Sequence, residues 1–260
     1  MVWDWGVKGA AFATGLSQAA VIFLYLWHFL GPKGSIKFTK FQFDVSTVFR
    51  QIRNGMSSGV TEFSGGIIIF FFNQAILRFI SEDALVSYTI ISYVNTIVVM
   101  SMTGIAQGSQ PLISYYFGKG EPKKYRKLLK YGILSAAVFS VVVTAACYTG
   151  ASGIVGIFLD GENPALSVYS VKVFRIFILS FLLAGYNVVI GGYFASIEKA
   201  GFATFISLTR SLIALVGCMM LLIAVLGGEG IWWSPLMAEA VCLVFSLLML
   251  KRSFAKQRKN

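Results

Sequence analysis

The sequence predicts an all-α integral membrane protein that crosses the bilayer seven times. Three observations carry this. Of 260 residues, 57% are hydrophobic and only 13% charged, about half the ~25% charged residues of an ordinary soluble domain. The apolar residues gather into seven stretches of about 20 residues or more, each long enough to span a hydrocarbon core of about 30 Å. The basic residues gather in the loops between them. A net charge of +11 would otherwise suggest nucleic acid, but lysines and arginines that lie mostly in short loops between apolar runs read as topology control.

The first span is Val7–Leu30, with Lys8 at its edge. Trp3 and Trp5 ahead of it read as interfacial anchors, and the start lacks the basic region of a signal peptide. His28, the single histidine, falls at the far end of the span and reads as a solvated interfacial ring. The loop Gly31–Arg53 sets five basic residues against Asp44. Within it, Phe41, Val45, Val48, Phe49 and Ile52 recur at three and four residues, so an amphipathic helix is expected to lie along the membrane surface before the second span.

The second span, Gly55–Leu77, holds 23 residues and one charge, Glu62. A rise of about 1.5 Å per residue puts Glu62 roughly 10 Å past the start of the span. A carboxylate at that depth is costly unless it is protonated, paired or facing a wet cavity. Glu62 is therefore the first candidate for an ion-responsive group, with a structural acid as the alternative. Ser81, Glu82 and Asp83 form a helix start for the third span. That span runs from Ala84 to about Ala106 and continues through Gln107 and Gln110 to Pro111, which is expected to kink or end it. Gly55 with Gly59, and Gly104 with Gly108, have the small-xxx-small spacing of close helix contacts.

A strongly basic loop, 118–130, precedes the fourth span, Tyr131–Phe158. An acidic connection with Asp160 and Glu162 follows. The fifth span is Val173–Ala195, behind Lys172 and Arg175, and it ends at a tight turn, Glu198–Lys199. The sixth, Phe202–Leu226, contains Arg210. The seventh, Ile231–Leu250, contains Glu239, with Trp232 and Trp233 as an expected interfacial belt. The expected organisation is thus a first helix (1–30), a linker with the amphipathic helix (31–54), a six-helix body (55–250) and a basic tail (251–260). Cys147, Cys218 and Cys242 lie in apolar runs without metal-binding spacing and read as packing residues. No nucleophile motif, phosphate loop or metal-ligand cluster is present, which argues against an enzyme and against a cofactor.

Of the 22 basic residues, 17 lie in the loops 31–54, 118–130, 198–199 and the tail, and 4 lie toward the opposite face. The positive-inside bias then makes the tail cytoplasmic and the N-terminus external, in the plasma membrane. An odd number of spans with an external start and no signal peptide leads to the expectation of further chain upstream.

Three stretches resemble a known family. GVKGAAFATGLSQ (Gly6–Gln18), GIAQGSQPLISYYFGKG (Gly104–Gly120) and FRIFILSFLLAGYNVVIGGYFASIEKAG (Phe174–Gly201) are similar, in order, to the sixth, eighth and tenth helices of the multidrug and toxic compound extrusion (MATE) family. The resemblance covers essentially the whole chain. It implies a twelve-helix fold in two lobes, of which this chain supplies helices 6–12: the last helix of the N-lobe and the whole C-lobe. The remaining N-lobe, or a second copy, would then be a partner, beside the lipid bilayer.

The resemblance further implies a secondary antiporter that expels organic cations or drugs in exchange for protons or sodium, with no other cofactor. That family's seventh helix often carries a membrane-embedded acid tied to the coupling ion, and Glu62 lies on the matching helix. The second acid that some members carry on the tenth helix has no counterpart in Val173–Ala195. The Gly-Leu-Pro entry to the seventh helix is replaced by Gly55-Met56-Ser57.

Polar residues within the spans are the cavity or substrate candidates: Asn73, Gln74, Asn95, Gln107, Gln110 and Asn187, beside Tyr93 and Tyr186. Each could instead make an interhelical hydrogen bond. Arg175 and Arg210 read as structural through pairing, and Glu239 as a weaker candidate than Glu62. Two other classes remain open. One is a lipid-linked oligosaccharide flippase, which would need a cationic cavity around Arg175 and Arg210. The other is a membrane assembly subunit without transport of its own.

Overall fold

A computed structural model describes residues 6–31, 43–159 and 163–259. Trp3, Trp5, Lys33, Lys37, Lys40, Asp160 and Glu162 lie outside the described residues. The helices, numbered in chain order, are α1 (Gly6–Leu30), α2 (Val45–Phe79), α3 (Ala84–Gly118), α4 (Pro122–Thr149), α5 (Ala151–Phe158), α6 (Pro164–Phe177), α7 (Phe181–Ser196), α8 (Ala200–Leu208), α9 (Ala214–Leu226) and α10 (Gly230–Lys259). No strand occurs among the described residues. The chain divides into two compact units, Met1–Thr47 and Val48–Asn260.

In the first unit, α1 leaves its apolar side chains exposed; Phe12, Leu16, Ile22, Phe23 and Trp27 are among them. This suits a helix whose solvent is lipid. Asp44, just before α2, accepts hydrogen bonds from the backbone N–H groups of Ser46 and Thr47 at 3.1 Å each, and from the Thr47 hydroxyl. It is a carboxylate cap on two otherwise orphaned donors. The Thr47 hydroxyl, then the two amides, hold this carboxyl below the usual aspartate range.

The second unit is a bundle built around one column. Among the described residues of the two units together, six stretches are long and apolar enough to cross a membrane. The last of them, Ala200–Ala255, folds back at the 3₁₀ turn Gly227–Glu229, which yields seven passes. In the Pro164–Ser196 pass, 61% of the most apolar window is buried, against 22–33% for the most apolar windows of the other spanning stretches of this unit. The fifth pass is therefore the centre of the bundle. Its Phe174, Phe181, Tyr193 and Phe194 are among the largest fully buried side chains. Two apolar clusters result, one around Phe72, Tyr88, Phe174, Phe181 and Trp232 and one around Tyr125, Val189, Tyr193, Phe194 and Ile206.

Several sequence expectations change. The amphipathic stretch continues without a break into the second span, since α2 is one helix of 35 residues. Pro111 does not end α3, which runs on to Gly118. The fourth pass is divided at Gly150 into α4 and α5. The fifth begins earlier, at Pro164, and is interrupted by a 3₁₀ turn at Ile178–Ser180. Trp232 belongs to the core, donating its indole N–H to the Tyr169 hydroxyl at 3.0 Å.

The expected glycine contacts also move. A Cβ at Gly55, Gly59, Gly104 or Gly108 would meet nothing within 4 Å. Close approaches between helices include Gly185, where a Cβ would sit 2.8 Å from the Ser140 hydroxyl, and Gly192, where it would sit 3.1 Å from Gln110 Nε2. Both lie on α7, because the central helix is the one pressed by neighbours on every side.

Candidate functional site

Between the two apolar clusters lies a polar layer. Its centre is Glu239 on α10, of which one oxygen accepts from Arg210 Nε at 2.8 Å and the other from Asn187 Nδ2 at 2.7 Å. Asn187 also donates to the Glu239 carbonyl at 2.9 Å, and its own oxygen accepts from the Ser246 hydroxyl at 3.0 Å. Three passes are joined by this network: α7 through Asn187, the sixth pass through Arg210 and α10 through Glu239 and Ser246. The Arg210 and Glu239 side chains are only 17% and 11% exposed. A buried pair of this kind is a functional-site hypothesis by default when it lies in a membrane span.

Two local irregularities accompany the layer. Arg210 sits in a π-helical turn, Thr209–Ile213. Such a turn holds an extra residue and re-aims the side chains it carries, a device frequent at functional sites. In α10, Pro235 lacks an N–H, so the carbonyl of Ile231 loses its helical donor. The Ser234 hydroxyl takes that place, 2.7 Å from the Ile231 oxygen.

A cavity of about 230 Å³ opens beside the pair. α2 contributes Thr61, Gly65, Ile68 and Phe72, and α3 contributes Tyr88, Ser92, Asn95 and Val99. The 3₁₀ turn and its flanks add Phe177, Ser180 and Phe181, and Arg210, Ser211, Pro235 and Glu239 close the far side. Phe72 and Tyr88 are stacked at 4.9 Å and 2°. The lining is thus aromatic and aliphatic with a few convergent polar groups, the usual composition of a small-molecule site.

The residues singled out from sequence divide around this cavity. Asn95 lines it, and Asn187 stands behind it, buried and bonded to Glu239. Glu62 is exposed on α2, next to the cavity-lining Thr61 but not itself in the lining; no hydrogen bond or ion pair reaches it among the described residues. Gln74, Tyr93 and Gln107 are exposed, Asn73, Gln110 and Tyr186 half-buried, and none lines the cavity. Tyr93 stacks on Phe158 at 6.0 Å. Gln110 instead packs at Gly192. The two arginines part company. Arg175 lies over the Tyr148 ring at 5.0 Å and donates to the Tyr148 carbonyl at 3.3 Å, lining a different cavity with Lys172. Lys172 itself is paired with Glu229.

In the second unit, six passes enclosing a polar layer and a small cavity define an integral membrane helical lobe. The MatE family profile matches residues 58–220, more than half of the chain, and the chain belongs to that family of transporters, which are not enzymes. It is 24% identical over 256 residues to Multidrug export protein MepA of Staphylococcus aureus (strain NCTC 8325 / PS 47), covering 95% of this chain and 54% of that protein. The same protein of Staphylococcus saprophyticus is 21% identical over the same length. Among solved structures, MATE in complex with MaL6 superposes with a TM-score of 0.90 at 19% identity, over 99% of this chain and 58% of that one. An outward-facing multidrug resistance MATE family transporter of the MOP superfamily gives 0.88 at 20% identity, over 98% and 58%. The chain therefore spans about half the length of the curated relatives it matches.

Proposed function

We propose that this chain is one lobe of a secondary antiporter in the plasma membrane, expelling organic cations or drugs in exchange for protons or sodium, with Glu62 as the ion-coupling group. Membership of the MatE family and likeness to a protein named for multidrug export support the direction and the substrate class. The observation that carries the role of Glu62 is its setting: an exposed carboxylate without a partner among the described residues, on an apolar span, one residue from the cavity wall. A group so placed is free to take up an ion from either side as access alternates, and an ion that favours one conformation over another shifts the equilibrium between them. Because the chain matches only about half of each relative, the proposed transporter needs a second wall, an N-lobe or a second copy of this lobe.

Glu62→Gln keeps the shape and removes the charge. With a complete second lobe supplied, proteoliposomes carrying Glu62→Gln are expected to retain substrate binding and lose gradient-driven dye efflux, while Glu62→Asp keeps part of it. Parental efflux by the Gln variant under an imposed proton or sodium gradient would make Glu62 a structural acid.

A further inference from the structure

The Arg210–Glu239 pair is unevenly used. Both oxygens of Glu239 are taken, one by Arg210 Nε and one by Asn187. Arg210 spends only Nε on this bond. Its two terminal nitrogens make no hydrogen bond among the described residues, yet the side chain lines the cavity. A guanidinium's free edge is a planar fork of N–H donors that matches a carboxylate through two parallel bonds. The cavity therefore offers spare donors of positive charge and a carboxylate already satisfied. The same cavity is lined by the stacked rings of Phe72 and Tyr88 and by Phe177 and Phe181.

We infer that this cavity takes the carboxylate of a small aromatic acid, held on the free edge of Arg210, with Glu239 and Asn187 as positioning residues that fix the guanidinium. This rests on reading the cavity as a substrate site and departs from plain organic cations there: acids, or zwitterions entering acid first, should fill it better. Glu239 supplies the counter-charge that lets an arginine stay buried when the cavity is empty. A single cation–carboxylate contact out of bulk water is worth about one to two orders of magnitude in affinity, since hydrogen bonds to charged groups contribute about 1.5–3 kcal/mol.

The test uses the 260-residue chain in phosphatidylcholine nanodiscs, with the fluorescence of anthranilate as the probe. Methyl anthranilate keeps the ring and loses the charge, and benzyltrimethylammonium is the cationic competitor. Anthranilate is expected to bind at least tenfold tighter than its ester, and the cation to displace it poorly. The double variant R210Q/E239Q removes both charges and leaves no lone buried charge; it should remain folded by helix content and gel filtration while losing the preference for acid over ester. Equal binding of acid and ester, displacement by the cation at matching concentration, an unchanged preference in the double variant, or no anthranilate binding by the folded chain would each overturn the inference. None of these outcomes bears on Glu62-dependent efflux, which is measured separately.

Discussion

At the scale of single residues, the polar layer shows why a charge inside a span has to be judged with its partner. Glu239 and Arg210 each interrupt an apolar run, and each would be costly alone. Together with Asn187 and Ser246 they form a closed set of bonds between 2.7 and 3.0 Å. Removing one ion should therefore hurt more than removing both. Arg210→Gln leaves a buried carboxylate uncompensated and is expected to lower stability by about 3–5 kcal/mol, whereas the double variant R210Q/E239Q should sit close to the parent. Unfolding followed by tryptophan fluorescence in detergent decides this, and additive losses in the double variant would refute it. The sequence showed that both charges were in spans, but not that they meet. That contact depends on the sixth pass packing on α10 and on the π turn that aims Arg210, neither of which has a local sequence signal. Asn187 was legible as an intramembrane polar residue, and its role as support for Glu239 was not, because Glu239 lies 52 positions away.

At the scale of elements, helices were legible wherever apolar length decided them and less so where a single bond sets a boundary. Gly150 divides the fourth pass and Ile178–Ser180 interrupts the fifth, and both lie within runs that read as continuous. The start of α2 is fixed by Asp44, whose depressed pKa has a definite consequence. An aspartate is protonated in the unfolded chain below about pH 3.9. Since the folded value is lower still, the cap's contribution is fully present above about pH 4 and is lost as pH falls through the folded value. The amides of Ser46 and Thr47 are expected to be protected from hydrogen exchange at pH 6 and unprotected once the carboxylate is titrated. Asp44→Ala should show no protection at either pH, and a pH-independent protection factor in the parent would rule the cap out.

At the scale of the whole molecule, the number of passes was foreseen, but not that the fifth is the enclosed one of its unit. Apolarity does not single out the fifth pass, since Ala200–Ala255 holds a more apolar window, and it is packing that encloses Pro164–Ser196. The orientation is a separate expectation, resting on the basic bias of the loops. With Lys124 and Glu82, both exposed, at opposite ends of the bundle, single cysteines introduced there report the two faces. An impermeant thiol reagent applied to intact cells should label the residue at 82 and spare that at 124. The reverse pattern would invert the topology.

The turn Gly227–Glu229 has a consequence for how the chain is made. Arg210 and Glu239 lie on consecutive passes joined by only those three residues, so the ribosome delivers the arginine first and its counter-ion 29 positions later. Entering the bilayer alone, a central arginine carries an insertion penalty of about 2.5–3.5 kcal/mol. Entering as a hairpin, with the acid already alongside, the two charges partition as a neutral unit. The tight turn thus suits the sixth and seventh passes to entering the membrane together, the charge of one matched by that of the other.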